Sequence, residues 1–439
     1  MVDFRLESAR MTAALTRILG LHNLALAEDV VQDVLCRAVE LWKFHPLPDD
    51  PTAWLMRAAR NRAIDLIRAE RTRLRFSPDL ALQSEWTLSP TVNAMFSESE
   101  IADDQLRMMF SCCPPNLPPQ AQLGLVLKLL CGFGNGEIAA ALLMSEAAVE
   151  KQISRGKRTL VRAGALFEVS NRVGDMMSGT AAIRVPRDGG AAAIRVPRTW
   201  SERLESVQRA LYLLFSEGYH GSHEPVRAEL CREAMRLCGL LAQHPACATP
   251  SSFALLALMC FDAARLPGRA AEDGSLLMLE EQDRSLWDRQ LVQRGFEIFA
   301  RSAEGSELSE YHLEAAIAAE HCAAASVRET NWARIVELYD LLLALRPSPV
   351  VALGRAIALG ELRGPQEGLR ALEELGDRDR LAGYPFLPAA LGRLHLKAGD
   401  RVRAAEFFRR AVALARNPAE ARLFEARLRE TEPQALRRV

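Results

Sequence analysis

The sequence predicts an all-α chain of several domains, and three observations carry that prediction. Its composition is 49% hydrophobic and 25% charged, rich in Ala, Leu, Arg and Glu and poor in β-branched runs, a mix that favours helix. Apolar residues recur at helical spacing in segment after segment. At 439 residues the chain is too long for one hydrophobic core, so two or three domains are expected. The net charge of −1 leaves any affinity for a polyanion to local patches. No basic-then-apolar start marks a secretory signal, and no apolar run is long enough to span a bilayer, so a cytoplasmic chain is expected. The nine cysteines show no paired metal spacing, which suits reduced thiols.

Glu7 to Gly20 reads as an amphipathic helix with Met11, Leu15, Ile18 and Leu19 inward. The next helix, LAEDVVQDVLCRAVELW, offers Val30, Val31, Val34, Leu35, Ala38 and Trp42 for burial. Its other face groups Asp29, Gln32 and Asp33 at i, i+3, i+4. That face is either plainly solvated or a docking surface for a basic partner. HPLPDDP is a loop, and Pro51 and Thr52 then open a third helix, AWLMRAARNRAIDLIRAERTRLRF. Here Arg57, Arg60, Arg62, Arg68, Arg71, Arg73 and Arg75 stand against Asp65 and Glu70 alone. Arg57, Asn61 and Asp65 share a stripe, with Trp54 near its start. Arginines interleaved with Asn and an aromatic suit backbone contacts, a base-edge contact and stacking. A solvated basic helix is the alternative.

Phe76 to Glu100 has little pattern and reads as a linker. In Glu137 to Leu160, EIAAALLMSEAAVEKQISRGKRTL, two short helices meet at a break, Leu143-Met144-Ser145. Ile138, Ala139 and Leu142 give the first an apolar face. Ser145 suits an N-cap, and Glu146 complements the positive helix start. Val149, Ile153 and Leu160 stripe the second helix, with Glu150, Lys151, Ser154, Arg155 and Arg158 on its other face. Lys151 to Arg162 holds five basic residues and no acidic one. This is the helix-turn-helix plan, whose second helix enters the major groove; a solvated amphipathic hairpin is the bland alternative. Leu143 stands where the turn usually has Gly for a left-handed backbone, so the turn must either strain or take another geometry.

Phe167 to Thr199 is a second linker, with AAIRVPR at Ala181–Arg187 and again at Ala192–Arg198. From Trp200 onward the chain reads as helical. Leu391, Gly392, Gly399, Ala404, Phe408 and Ala411 fall at the spacings of a tetratricopeptide-like unit, in which small residues let two helices approach. The run Glu280, Glu281, Asp283, Arg284 has no nucleophile, glycine-rich phosphate loop or metal set beside it, so a salt-bridged helix or turn is expected there. His220 and His223 form an HxxH without a partner ligand in register.

LAEDVVQDVLCRAVELW with PTAWLMRAARNRAIDLIR, followed by Glu137 to Leu160, resembles regions 2 and 4 of bacterial sigma-70-family factors of the extracytoplasmic-function (group IV) type. The blocks stand in the right order and with a suitable gap. DDQLRMMFSCCPP, ALYLLFSEGY and LLMLEEQDRSLWDRQLVQRG resemble the subfamily in which a helical domain is fused behind region 4. Its members usually have His after the cysteine pair, where this chain has Pro114.

The resemblance implies region 2 over residues 1–75, a linker over 76–102, region 4 over 103–165, a linker over 166–199 and a tetratricopeptide-like domain over 200–439. It implies a transcription initiation factor with no cofactor, metal or catalytic group of its own. Its partners would be core RNA polymerase and promoter DNA. Asp29, Gln32 and Asp33 would dock on the polymerase clamp. Trp54, Arg57, Arg60, Asn61 and Arg62 would hold and read the single-stranded minus-10 element. Glu150, Lys151, Ser154 and Arg155 would meet the duplex minus-35 element, with Lys157 and Arg158 on phosphates. Three rivals remain open: a one-component helix-turn-helix regulator, a tetratricopeptide-like scaffold with a relic N-terminal half, and an enzyme in the C-terminal part.

Overall fold

The structure, a computed structural model, describes residues 4–75, 98–114, 117–142, 144–163, 200–220, 226–271, 275–376 and 378–432. Among them are eighteen α-helices, and the sole strand-like pairing is one antiparallel bridge, Ala270 to Leu276. They fall into two compact units, Met1–Leu213 with His244–Ala246, and Leu214–Gln243 with Cys247–Val439.

The first unit opens with α1 (Phe4–Leu19), α2 (Leu24–Trp42) and α3 (Pro51–Arg75). Their inward stripes meet in one core of Met11, Leu15, Leu19, Val30, Val31, Val34, Leu55, Ala59 and Ile67, each below a tenth exposed. The start of α3 is fixed twice. Asp50 accepts the Ala53 N–H at 2.9 Å, an N-cap, and the Thr52 hydroxyl donates to the buried Glu7 of α1 at 3.1 Å. Then come α4 (Glu98–Cys112), α5 (Pro119–Leu129), α6 (Asn135–Leu142) and α7 (Glu146–Ala163). Residues 98–102, expected to close the linker, are therefore helical. Cys112, the last residue of α4, and Cys113 after it are fully buried. Burial pushes the Cys113 thiol up to about 12, so it stays protonated and inert. The first part of α8 (Trp200–His220), up to Leu213, belongs to this unit.

The second unit is built around α10 (Pro250–Ala264), buried almost throughout, as a helix apolar on all sides must be. Its Thr249 N-cap accepts the Ser252 N–H at 3.2 Å. Three helices, α9 (Ala228–Gln243), α11 (Arg289–Ser302) and α12 (Glu310–Ala323), pack on it. The rings of Phe296 and Phe299 on α11 lie 4.9 and 6.2 Å from Phe261. Helix pairs follow: α13 (Trp332–Leu345) with α14 (Pro349–Arg363), then α15 (Pro365–Glu373), α16 (Phe386–Lys397), α17 (Arg401–Leu414) and α18 (Pro418–Glu430). The tetratricopeptide-like spacing is realised as the hairpin of α16 and α17. A Cβ at Gly392 would stand 3.0 Å from the Phe408 ring, a contact so tight that the ring would have to give way, so glycine favours the close approach of the helices. Phe408, Ala404 and Ala411 are fully buried there, and the phenylalanine alone contributes about 1.5–3 kcal/mol of apolar burial.

Candidate nucleic-acid interface

The helix-turn-helix is assembled locally. Gly134 precedes α6, and its N–H is capped by the Glu137 carboxylate at 2.8 Å, the back-reaching half of a capping box. At the far end the Met144 N–H returns to the Ala139 carbonyl at 2.9 Å, a six-to-one bond that satisfies an orphan carbonyl. Leu143 itself lies outside the described residues. Ser145 then caps α7, its hydroxyl accepting the Ala148 N–H at 3.3 Å. Val149, Ile153 and Leu160 are buried, as their spacing requires. Gly156, buried in the middle of α7, was not anticipated. A Cβ there would stand 2.9 Å from both terminal methyls of Leu125, so glycine sets how closely α7 lies on α5. Glu150, Lys151, Ser154, Arg155 and Arg158 line the exposed face.

Lys157 is placed differently from its neighbours. Its ammonium lies 2.6 and 2.7 Å from the two carboxylate oxygens of Glu28 on α2, and each side chain is about a quarter exposed (27% and 25%). Two further ion pairs join α1 to α4 and to α6. Arg17 reaches the buried Asp104 at 3.2 Å, and Arg5 reaches Glu137 at 2.7 Å. The Arg5 guanidinium also lies 5.3 Å from the Phe133 ring centroid. Beneath it, Gly132 at φ +68° brings the α5–α6 turn against the Arg5 backbone, where a Cβ would meet the Arg5 carbonyl at 2.9 Å.

On α2, Asp29, Gln32 and Asp33 are exposed together on one face. On α3, Arg57, Asn61 and Arg62 are exposed and Arg60 is half-buried. Arg60 donates to the Asn61 side-chain oxygen at 3.2 Å, and Arg62 stands 3.6 Å from Asp33, so the acidic and basic faces adjoin. Trp54 is half-buried, its ring 5.5 Å from Trp42, which in turn stacks toward Phe4 at 5.7 Å. The indole thus packs region-internally and offers only part of its face to a ligand.

Sequence reasoning also missed Arg203. Only 9% exposed, it donates from α8 to the Phe110 carbonyl of α4 at 3.4 Å, within the first unit. Burial holds its pKa below the ordinary arginine value. In the second unit the Glu280–Arg284 run is a salt-bridged turn, as expected. Glu280 pairs with Arg393, and Glu281 pairs with Arg427. Arg284 donates to the His321 and Ala324 carbonyls at 2.7 and 2.5 Å, a cation on the carbonyl end of α12. His223 and both AAIRVPR copies lie outside the described residues. No group of metal-ligating side chains is assembled among the described residues, and no helix among them is long and apolar enough to cross a membrane.

Comparison with known proteins fits this geometry. Residues 6–73 match the family described as Sigma-70 region 2, and residues 107–160 match Sigma-70, region 4. Residues 203–303 match a family of unknown function, DUF6596. The chain is 35% identical over 432 residues to an uncharacterized protein of Rhizobium meliloti, covering 96% of this chain and 93% of that one. No solved structure matches.

Proposed function

We propose that this chain, which belongs to the sigma-70 family of the extracytoplasmic-function type with a fused C-terminal domain, divides promoter recognition between α3 and α7 under the control of its own C-terminal half. A sigma factor joins core RNA polymerase and directs it to promoter DNA; the polymerase supplies the chemistry, in the cytoplasm. Region 4 meets the minus-35 duplex through α7. The observation that carries this is its single exposed face of Glu150, Lys151, Ser154, Arg155 and Arg158 over a buried Val149, Ile153 and Leu160. Such a face can give bidentate contacts to base edges from Arg155 and charge to phosphates from Arg158. Region 2 docks on the polymerase with Asp29, Gln32 and Asp33. It holds the melted minus-10 strand with Arg57, Arg60, Asn61 and Arg62, and with the free part of the Trp54 face.

Residues 200–439 set the activity of residues 1–165 in cis, as a positive requirement. Arg203 supports this reading, because the first helix after the second linker is anchored in the unit that holds region 4. The test is run-off transcription with core polymerase and a genomic promoter pool. Full-length protein should give promoter-specific starts, and residues 1–165 alone should give fewer. Tight sequence-specific duplex binding without core polymerase would favour a one-component regulator instead. Equal activity of the two proteins would refute control in cis.

A further inference from the structure

The ammonium of Lys157 faces a carboxylate where the function needs it to face a phosphate. Glu28 holds it with both oxygens, at 2.6 and 2.7 Å, across 129 residues of sequence. The pair is partly desolvated, with only about a quarter of each side chain exposed (27% and 25%). The helix that carries Lys157 lies against the turn Leu21–Asn23 that leads into α2. Nearby, Arg17 of α1 pairs with Asp104 of α4, and Arg5 of α1 pairs with Glu137 of α6.

We propose that the Lys157–Glu28 pair is a latch in which Glu28 stands in for a DNA phosphate, so that region 2 and duplex DNA compete for one ammonium. The inference rests on the reading of α7 as the groove helix. Two physical terms make the competition real. A duplex that engages Lys157 must first break the ion pair. It then meets the freed Glu28 carboxylate, whose charge repels the polyanion at close range. The coupling is reciprocal: whatever draws α2 away from α7 tightens DNA binding by the factor with which DNA loosens the pair. The acidic face assigned to the polymerase begins at Asp29, the residue next to Glu28. Docking of polymerase on that face therefore acts on the helical turn that holds the latch. This gives the free protein a built-in reason to ignore duplex DNA until it is docked.

The test uses full-length protein and a fluorescent random-sequence duplex at low salt, because phosphate contact alone is at issue. Glu28→Gln should tighten binding about fivefold, the low end of coupling between interacting sites. Glu40→Gln makes the same charge change on the exposed far part of α2 and should shift affinity much less. In a Lys157→Gln background, Glu28→Gln should give a clearly smaller gain, because the pair is already gone and only the repulsion of the free carboxylate is left to relieve. Hydrogen exchange across α7 should rise in Glu28→Gln alone among these two glutamate variants. The latch is overturned if Glu28→Gln and Glu40→Gln act equally, if neither acts, or if the full gain survives in Lys157→Gln. Failure of the groove-helix reading looks different: Arg155→Ala would then leave duplex affinity unchanged with or without Glu28→Gln.

Discussion

Gly156→Ala sets two terms of known size against each other inside the DNA-reading helix. Alanine in place of glycine at a mid-helix position stabilises by about 0.8–1 kcal/mol. Here the new Cβ would lie 2.9 Å from both terminal methyls of Leu125, a side chain with no exposed surface. Forcing an extra carbon into such a contact costs about 1–3 kcal/mol. The net expectation is a loss of up to about 2 kcal/mol, against the propensity rule. Leu125→Ala alone should cost about 2–5 kcal/mol through the cavity it leaves. In that background the clash is gone, and Gly156→Ala should stabilise by about 1 kcal/mol. Native-state hydrogen exchange of the amides of α7 reads the local opening free energy directly. Exchange should be faster in Gly156→Ala than in the parent, yet slower in the double variant than in Leu125→Ala. Equal protection by Gly156→Ala in both backgrounds would refute the close α5–α7 contact.

Other outcomes follow from the remaining contacts. Asp29→Arg with Asp33→Arg should abolish association with core polymerase in a pull-down while leaving the helical circular dichroism unchanged; equal association would remove the clamp assignment. Arg155→Ala should cost about 1–3 kcal/mol of discrimination between promoters, whereas Lys157→Ala should weaken all of them alike and lower the salt slope by about 1. His321 is held neutral, its pKa driven down to about 3 by burial and by Arg265 and Arg284. Its unfolded form takes a proton below about 6.5 while the folded form does not, so it contributes stability at neutral pH that is lost as pH falls toward about 3. The unfolding free energy from urea titration should thus drop less steeply as pH falls in His321→Gln, by up to roughly 1.4 kcal/mol per pH unit in that window. Identical slopes would show that His321 titrates normally.

Local chemistry was legible in the sequence, and long-range pairing was not. Ser145 could be read as a cap because a cap acts on a backbone group three residues away, and it accepts the Ala148 N–H. Val149, Ile153 and Leu160 could be read as buried because helical period alone selects one face. The glycine and alanine spacing around Gly392 and Phe408 declared a close helix pair for the same reason. Lys157, by contrast, shares the basic run of α7 with Arg155 and Arg158, and nothing in that run distinguishes it. Its partner Glu28 stands in another helix, so only the tertiary arrangement separates a latch from a phosphate contact. Arg203 is hidden in the same way, for its acceptor is a backbone carbonyl, which leaves no trace in residue type. Gly156 did carry a signal, since a glycine inside an otherwise regular helix asks for a packing reason. Trp54 shows the converse: an aromatic placed well for stacking on a base also has an aromatic neighbour, Trp42, in its own core, and Trp42 in turn meets Phe4.

The division of labour between the two helices can be read in a single complex. A photo-crosslinking amino acid is placed at Arg155 in one protein and at Asn61 in another, and each is assembled with core polymerase on a promoter recovered from the run-off assay. The account predicts that position 155 crosslinks to duplex DNA around minus-35 and position 61 to the melted minus-10 strand. Crosslinks from position 61 to duplex alone, or from position 155 to no DNA, would contradict it.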